Sequence, residues 1–110
     1  MPERGDFIWL DFNPQTGKEQ AKKRPALVIS PKIYNAKSSL SLVLPITGKY
    51  RGWGFEIPLP RGLKTSGSIL VDQVKSLDFK ARNPSFIENC PKDILKSAIK
   101  KLQLLIEEGA

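Results

Sequence analysis

The chain has 110 residues, with 18 basic and 11 acidic side chains, a formal net charge of +7 and no histidine. Folding hides roughly two thirds of the unfolded surface at this length, enough for one core, so residues 1–110 read as a single domain and a second independent one is excluded. Hydrophobic residues at 40% and charged residues at 26% are ordinary globular usage, which argues against disorder or a fibrous repeat. No apolar run approaches the roughly 20 residues that cross a bilayer, and the charged start, Met1 to Asp6, carries no export signal, so no membrane partner is expected. Cys90 is the only cysteine, which precludes an intrachain disulfide, excludes cysteine–histidine zinc sites and suits a reducing cytoplasm. Without histidine, the Ser-His-Asp triad, the Cys-His pair and paired-histidine RNA hydrolysis are all excluded. The positive charge favours anionic partners, nucleic acid first.

Phe7 to Phe12 is an apolar, aromatic run closed by Asn13-Pro14, which predicts a largely buried first strand. Gln15 to Lys23 has no apolar periodicity and sets Lys18, Lys22 and Lys23 against Glu19, the composition of an exposed basic loop. Arg24-Pro25 leads into a second strand, Ala26 to Ser30, with Pro25 suited to its first position. A polar connection, Ile33 to Ser39, precedes a third strand, Leu40 to Thr47. Gly48 to Gly52 reads as a turn, Trp53 to Ile57 as a fourth strand and Pro58 to Ser66 as a second basic loop with Arg61 and Lys64. Ser68 to Val74 reads as a fifth strand that carries Asp72 and Gln73. Pro91 and Asp93 open a terminal helix, in which Ile94, Leu95, Ala98, Ile99, Leu102, Leu105 and Ile106 form a stripe to pack on the sheet. Short strands and one late helix predict a β-rich α+β fold, a small curled antiparallel sheet or barrel.

Several polar positions invite chemistry. Arg24, at a strand's edge, can make two parallel hydrogen bonds to a phosphate, although lysine-rich loops beside it are also ordinary solvated surface. The Thr47 hydroxyl can donate to a phosphate oxygen or simply bond its own turn. Asp72 either faces a cleft or is a structural buried group bonded to a loop, the reading favoured here. Trp53, Phe55, Tyr50 and Tyr34 can stack on unpaired bases; Trp53 and Phe55, sharing a strand face, are expected in the core, and Tyr50, beside Arg51, is the better platform. Cys90 has no base or metal partner in view and reads as inert.

Arg4-Gly5-Asp6-Phe7-Ile8-Trp9, Gly17-Lys18-Glu19-Gln20 and Arg24-Pro25-Ala26-Leu27-Val28 stand in the same order as in the MazF/PemK/Kid toxins, which this sequence resembles. Tyr34-Asn35, Pro45-Ile46-Thr47, Gly54-Phe55-Glu56 and Asp72-Gln73-Val74-Lys75-Ser76 with Asp78 continue the match, from about residue 3 to the terminal helix. The resemblance implies an SH3-like antiparallel barrel of the CcdB/PemK type with a C-terminal helix, forming a homodimer. It implies a sequence-specific, metal-independent endoribonuclease for single-stranded mRNA, with no cofactor, restrained by a cognate acidic, MazE-like antitoxin. The family's catalytic arginine falls on Arg24 and its threonine on Thr47; Glu19 and Gln20 match the loop framing the same pocket, and Asp72 matches an aspartate of the Kid branch. The Kid arginine and histidine fall on Leu70 and Lys18, so the sequence supports the Arg-Thr arrangement of the MazF branch.

The implied chemistry is attack of a ribose 2′-OH on the adjacent phosphate, giving a 2′,3′-cyclic phosphate and a 5′-OH. Arg24 would stabilise the five-coordinate phosphorus and Thr47 would donate to a non-bridging oxygen. The base is left open, with Glu19 a candidate. Lys18, Lys22, Lys23, Lys49, Tyr50, Arg51, Arg61 and Lys64 are expected to hold the RNA. Two other readings compete: a CcdB-like non-enzymatic toxin that inhibits DNA gyrase, and a passive RNA-binding module.

Overall fold

In the computed structural model, residues 1–12 and 23–108 are described. Strand β1 (Asp6–Asp11) pairs antiparallel with β2 (Lys23–Val28), Phe7 opposite Leu27 and Asp11 opposite Lys23. Alternation along β1 sends Phe7 into one apolar cluster and Ile8 and Leu10 into another, so this strand reads as an apolar run because both of its faces meet a core, with Trp9 alone in the run exposed.

Strand β3 (Ser41–Thr47) lies antiparallel to β2. On its other side it pairs first with β6 (Lys75–Leu77), through Ser41 to Val43, and then with β5 (Ser68–Leu70), through Ile46 and Thr47. Pro45 falls in the gap between these pairings, which suits a residue lacking an N–H. The spatial order is β4 (Glu56–Pro58), β5, β3, β2, β1, β7 (Ser85–Asn89), with β6 beside β3. The sheet is antiparallel throughout and curled, as expected, but it does not close: β4 and β7 do not pair. Its ends are joined instead through side chains. The backbone N–H and hydroxyl of Thr65, in the β4–β5 connection, both donate to Glu88 Oε2 in β7 at 2.8 Å.

The larger cluster (Phe7, Leu27, Leu44, Ile46, Ile69, Val71, Ala98) fills the inside of the curl under helix α2 (Lys92–Gln103). The smaller one, with Ile8, Leu10, Ala26, Val28, Val43, Leu77 and Phe79, lies on the opposite face. Pro91 flanks α2 rather than entering its first turn, and Ile94, Leu95 and Leu102 pack on the core. The expected stripe does not continue: a wider turn, Leu104–Glu108, follows, and Leu104, Leu105 and Ile106 are exposed.

Four further expectations are corrected. The connection at Ile33 to Ser39 is helix α1 (Lys32–Ser38), which has no apolar stripe because its one buried residue is Asn35. Asn35 accepts the Ser30 hydroxyl at 2.6 Å and its amide donates to the carbonyls of Pro2 at 2.9 Å and Ser30 at 3.1 Å, so polar bonds dock this helix. The second strand begins at Lys23, paired with Asp11, and Pro25 is its third residue. The fourth strand begins only at Glu56. The fifth ends at Leu70, where the chain turns into a 3₁₀ segment, Val71–Gln73. Strands β6 and β7 carry mostly polar or half-exposed residues and give no comparable apolar signal.

Candidate functional site

The β2–β3 register sets Ala26 opposite Pro45. Two residues further toward the same end, just beyond this paired stretch, lie Arg24 on β2 and Thr47 on β3. Steps of two keep the side of the sheet, which puts both on the face that carries Ala26 and Val43 of the smaller cluster, although Thr47 does not line the groove found there. There Arg24, exposed, lines a groove of about 370 Å3 with Phe12, Pro45, Gln73, Lys75, Leu77 and Arg82. Three cationic side chains thus share one polar groove. A larger recess among the described residues, about 480 Å3, lies around Met1, Ile8, Phe79 and Phe86. Its lining is mostly apolar, so the charge and donor set favour the smaller groove for an anionic substrate.

Thr47 is half-buried at the end of β3, and its Oγ1 accepts the Lys49 N–H at 3.3 Å, which leaves its own proton free to be donated. Gly67 backs it. With φ at +118° and an ideal Cβ only 2.2 Å from the Thr47 carbonyl oxygen, that position admits no side chain, and this close approach is what lets β5 pair with Thr47.

Asp72 is exposed on the 3₁₀ turn, not buried within a strand, because the turn carries it out of the sheet. Its Oδ2 accepts the Trp53 indole N–H at 3.0 Å. Arg51, Trp53 and Asp72 line a second recess of about 340 Å3. The next residue, Gln73, lines the Arg24 groove, so this turn contributes to both recesses.

Trp53, expected in the core, is exposed, because its segment enters no strand; Phe55 alone packs on the core. Arg51 is partly scaffold. Its backbone N–H donates to Glu56 Oε1 at 3.0 Å and its Nε to Oε2 at 3.2 Å. These bonds, the backbone one foremost, hold the Glu56 carboxyl below the ordinary glutamate range against the opposing effect of burial. Lys49 and Tyr50 are exposed in the same connection. Lys23 opens β2 one residue before Arg24 and is exposed. Arg61 and Lys64 are exposed on the connection bonded to β7 and line neither recess. Lys18, Glu19, Gln20 and Lys22 lie outside the described residues.

Gln73, Lys75 and Arg82 join the site without having been singled out as site residues in the sequence. Arg82 gave no local signal: its Nη1 donates to the carbonyls of Asp11 at 3.0 Å and Phe12 at 3.2 Å, 71 and 70 positions away, and only the fold brings it there.

Comparison with known proteins shows the family of the chain. The model of the family described as PemK-like, MazF-like toxin of type II toxin-antitoxin system matches residues 3–106. The chain is 46% identical over 82 residues to the endoribonuclease toxin MazF of Escherichia coli K12, covering 74% of this chain and 73% of that protein. A crystal structure of MazF from Deinococcus radiodurans superposes with a TM-score of 0.86 at 40% identity, covering 96% of both chains. A MazE–MazF complex from the same organism superposes at 0.85 and 35% identity, over 96% of this chain and 95% of that one. The chain therefore belongs to the PemK-like, MazF-like toxins of type II toxin–antitoxin systems.

Proposed function

We propose that this protein is the toxin of a type II toxin–antitoxin pair and acts as a sequence-specific, metal-independent endoribonuclease on single-stranded mRNA in the cytoplasm. The observation that supports this reading is that Arg24 lines a polar groove together with Lys75 and Arg82. The substrate's own 2′-OH attacks the adjacent phosphorus; its proton goes to a base, the bond to the 5′ oxygen breaks, and that oxygen leaves protonated. Arg24 neutralises charge on the five-coordinate phosphorus through two N–H donors, and Thr47 donates to a non-bridging oxygen. A guanidinium offers only N–H donors and no acceptor, so Arg24 does not serve as the base. Glu19 is the candidate for that proton, and with Gln20 it would frame the pocket. Lys75 and Arg82 are the cations placed to hold flanking phosphates. We further propose that two subunits form the working groove and that an acidic antitoxin of the MazE kind covers it, drawn by the +7 charge. The similarity to a MazE–MazF complex supports that partner.

The test is incubation of the purified protein with synthetic RNA in EDTA, followed by analysis of the ends. Cyclic-phosphate and 5′-OH termini are expected, with cleavage abolished in Arg24→Ala and lowered about 10²- to 10³-fold in Thr47→Val. Full activity of Arg24→Ala overturns the assignment. Intact RNA together with inhibition of gyrase establishes the non-enzymatic alternative.

A further inference from the structure

Trp53 is 51% exposed, yet it is not loose. Its indole N–H is held by Asp72 Oδ2 at 3.0 Å, and one flank packs on Phe55 with ring centroids 5.6 Å apart at 55°. Phe55 in turn packs against the main core. The indole is thus fixed at both ends while about half of its surface stays open to solvent, an arrangement that hydrophobic burial alone does not explain. A ring held in this way stacks on a partner with little further loss of side-chain freedom. Its recess is lined by Arg51, whose side chain is 65% exposed, and by Asp72, whose chain neighbour Gln73 lines the Arg24 groove. The turn that carries Asp72 and Gln73 thus contributes one residue to each recess, an aromatic face and a cation lying in one and Arg24 in the other.

We infer that Trp53 is a stacking platform for an unpaired base flanking the scissile phosphate, and that Asp72 is a positioning residue that holds the indole in place, not an acid or base. The inference rests on the ribonuclease reading and adds a substrate-binding position to it. Stacking on an aromatic side chain tolerates any base, so the platform contributes affinity for single strands in general, and a duplex, whose bases are already stacked, is refused.

The experiment titrates the protein with short 2′-O-methyl oligonucleotides of U, A or C, which lack the nucleophile, and with a duplex of complementary strands, while following indole emission. Single strands are expected to quench emission, the duplex is not, and the quenching is expected to fall in Trp53→Phe, which leaves only Trp9 to report. Trp53→Leu is expected to weaken single-strand binding about 5- to 140-fold, whereas Trp53→Phe, which keeps an aromatic face, retains most of it. Asp72→Ala is expected to weaken binding in the same direction, and Asp72→Asn, whose amide oxygen still accepts the indole N–H, to restore it. Circular dichroism and thermal melting of each variant separate loss of fold from loss of platform. Wild-type affinity in folded Trp53→Leu, or no quenching by single strands from a wild type that cleaves cellular RNA, overturns the platform and leaves the ribonuclease standing. A wild type that neither binds nor cleaves RNA overturns both.

Discussion

Gly67→Ala tests the connection between packing and the site. The backbone there has φ at +118°, where a side chain costs about 1 to 3 kcal/mol. The added Cβ would also meet the Thr47 carbonyl oxygen at 2.2 Å and its carbon at 2.9 Å, against ordinary contacts of about 3.5 to 4 Å. Both atoms are backbone, so relief requires the strands to part by about 1 Å. That weakens the Thr47–Ser68 pairing and the bond from the Leu59 N–H to the Gly67 carbonyl, at about 0.5 to 1.5 kcal/mol for each hydrogen bond. The total is about 2 to 6 kcal/mol, which lowers Tm by about 8 to 24 °C at about 4 °C per kcal/mol. Displacing Thr47 by about 1 Å is expected to slow cleavage about 10²-fold at temperatures where the variant is folded. Gly48→Ala is the control: an added Cβ there meets nothing within 4 Å, and stability is expected to stay within about 0.5 kcal/mol. Thermal melts by circular dichroism and single-turnover cleavage check both. A Gly67→Ala protein that melts and cleaves like wild type refutes the packing argument.

Burial alone would raise the Glu88 carboxyl, but the Thr65 hydroxyl and the N–H groups of Lys64 and Thr65 outweigh it and hold it below 4.5. A depressed folded-state value stabilises above about 4.5 and is lost as pH falls through it, so Glu88→Gln is expected to flatten the acid branch of Tm against pH. An unchanged profile would contradict this. The Cys90 thiol is pushed up to about 12, by burial first and then by the Asp93 and Glu88 charges; iodoacetamide at about pH 8 is expected to label it only after unfolding, as read by mass spectrometry. Asn35→Ala strands the groups that its side chain now satisfies and is expected to cost about 2 to 4 kcal/mol in urea unfolding; a cost below about 1 would remove its docking role. Lys75→Ala is expected to lower the slope of log binding constant against log salt by about 0.7 for single-stranded RNA, and an unchanged slope would take Lys75 off the phosphate path.

What could be read from the amino acids depended on what held each element. The first and third strands and the terminal helix were legible because apolar side chains meeting a core impose a period of two or of three to four. The α1 segment was illegible because Asn35 docks it by hydrogen bonds, which leave no hydrophobic pattern. Val71 continued the apolar run of the fifth strand and concealed the turn that carries Asp72 outward. Arg24 and Thr47 stand out only through the resemblance, because an exposed arginine and a strand-end threonine carry no pattern of their own. For Trp53 the spacing points to a strand face, whereas its ring is held from the side by Asp72 and Phe55. Arg82 lies too far along the chain from its partners to be paired with them by inspection.

The curled sheet has one seam. Neighbouring strands are joined by backbone ladders, whereas among the described residues the β4–β5 connection meets β7 through the Glu88 carboxylate, which grips Thr65. Side-chain bonds can release without melting any strand, so this flank can breathe as a local event while β1, β2 and β3 stay protected. Amide exchange should therefore be fastest across the Thr65 flank and slowest at the centre of β2, giving the little domain a rigid spine with one hinged wall.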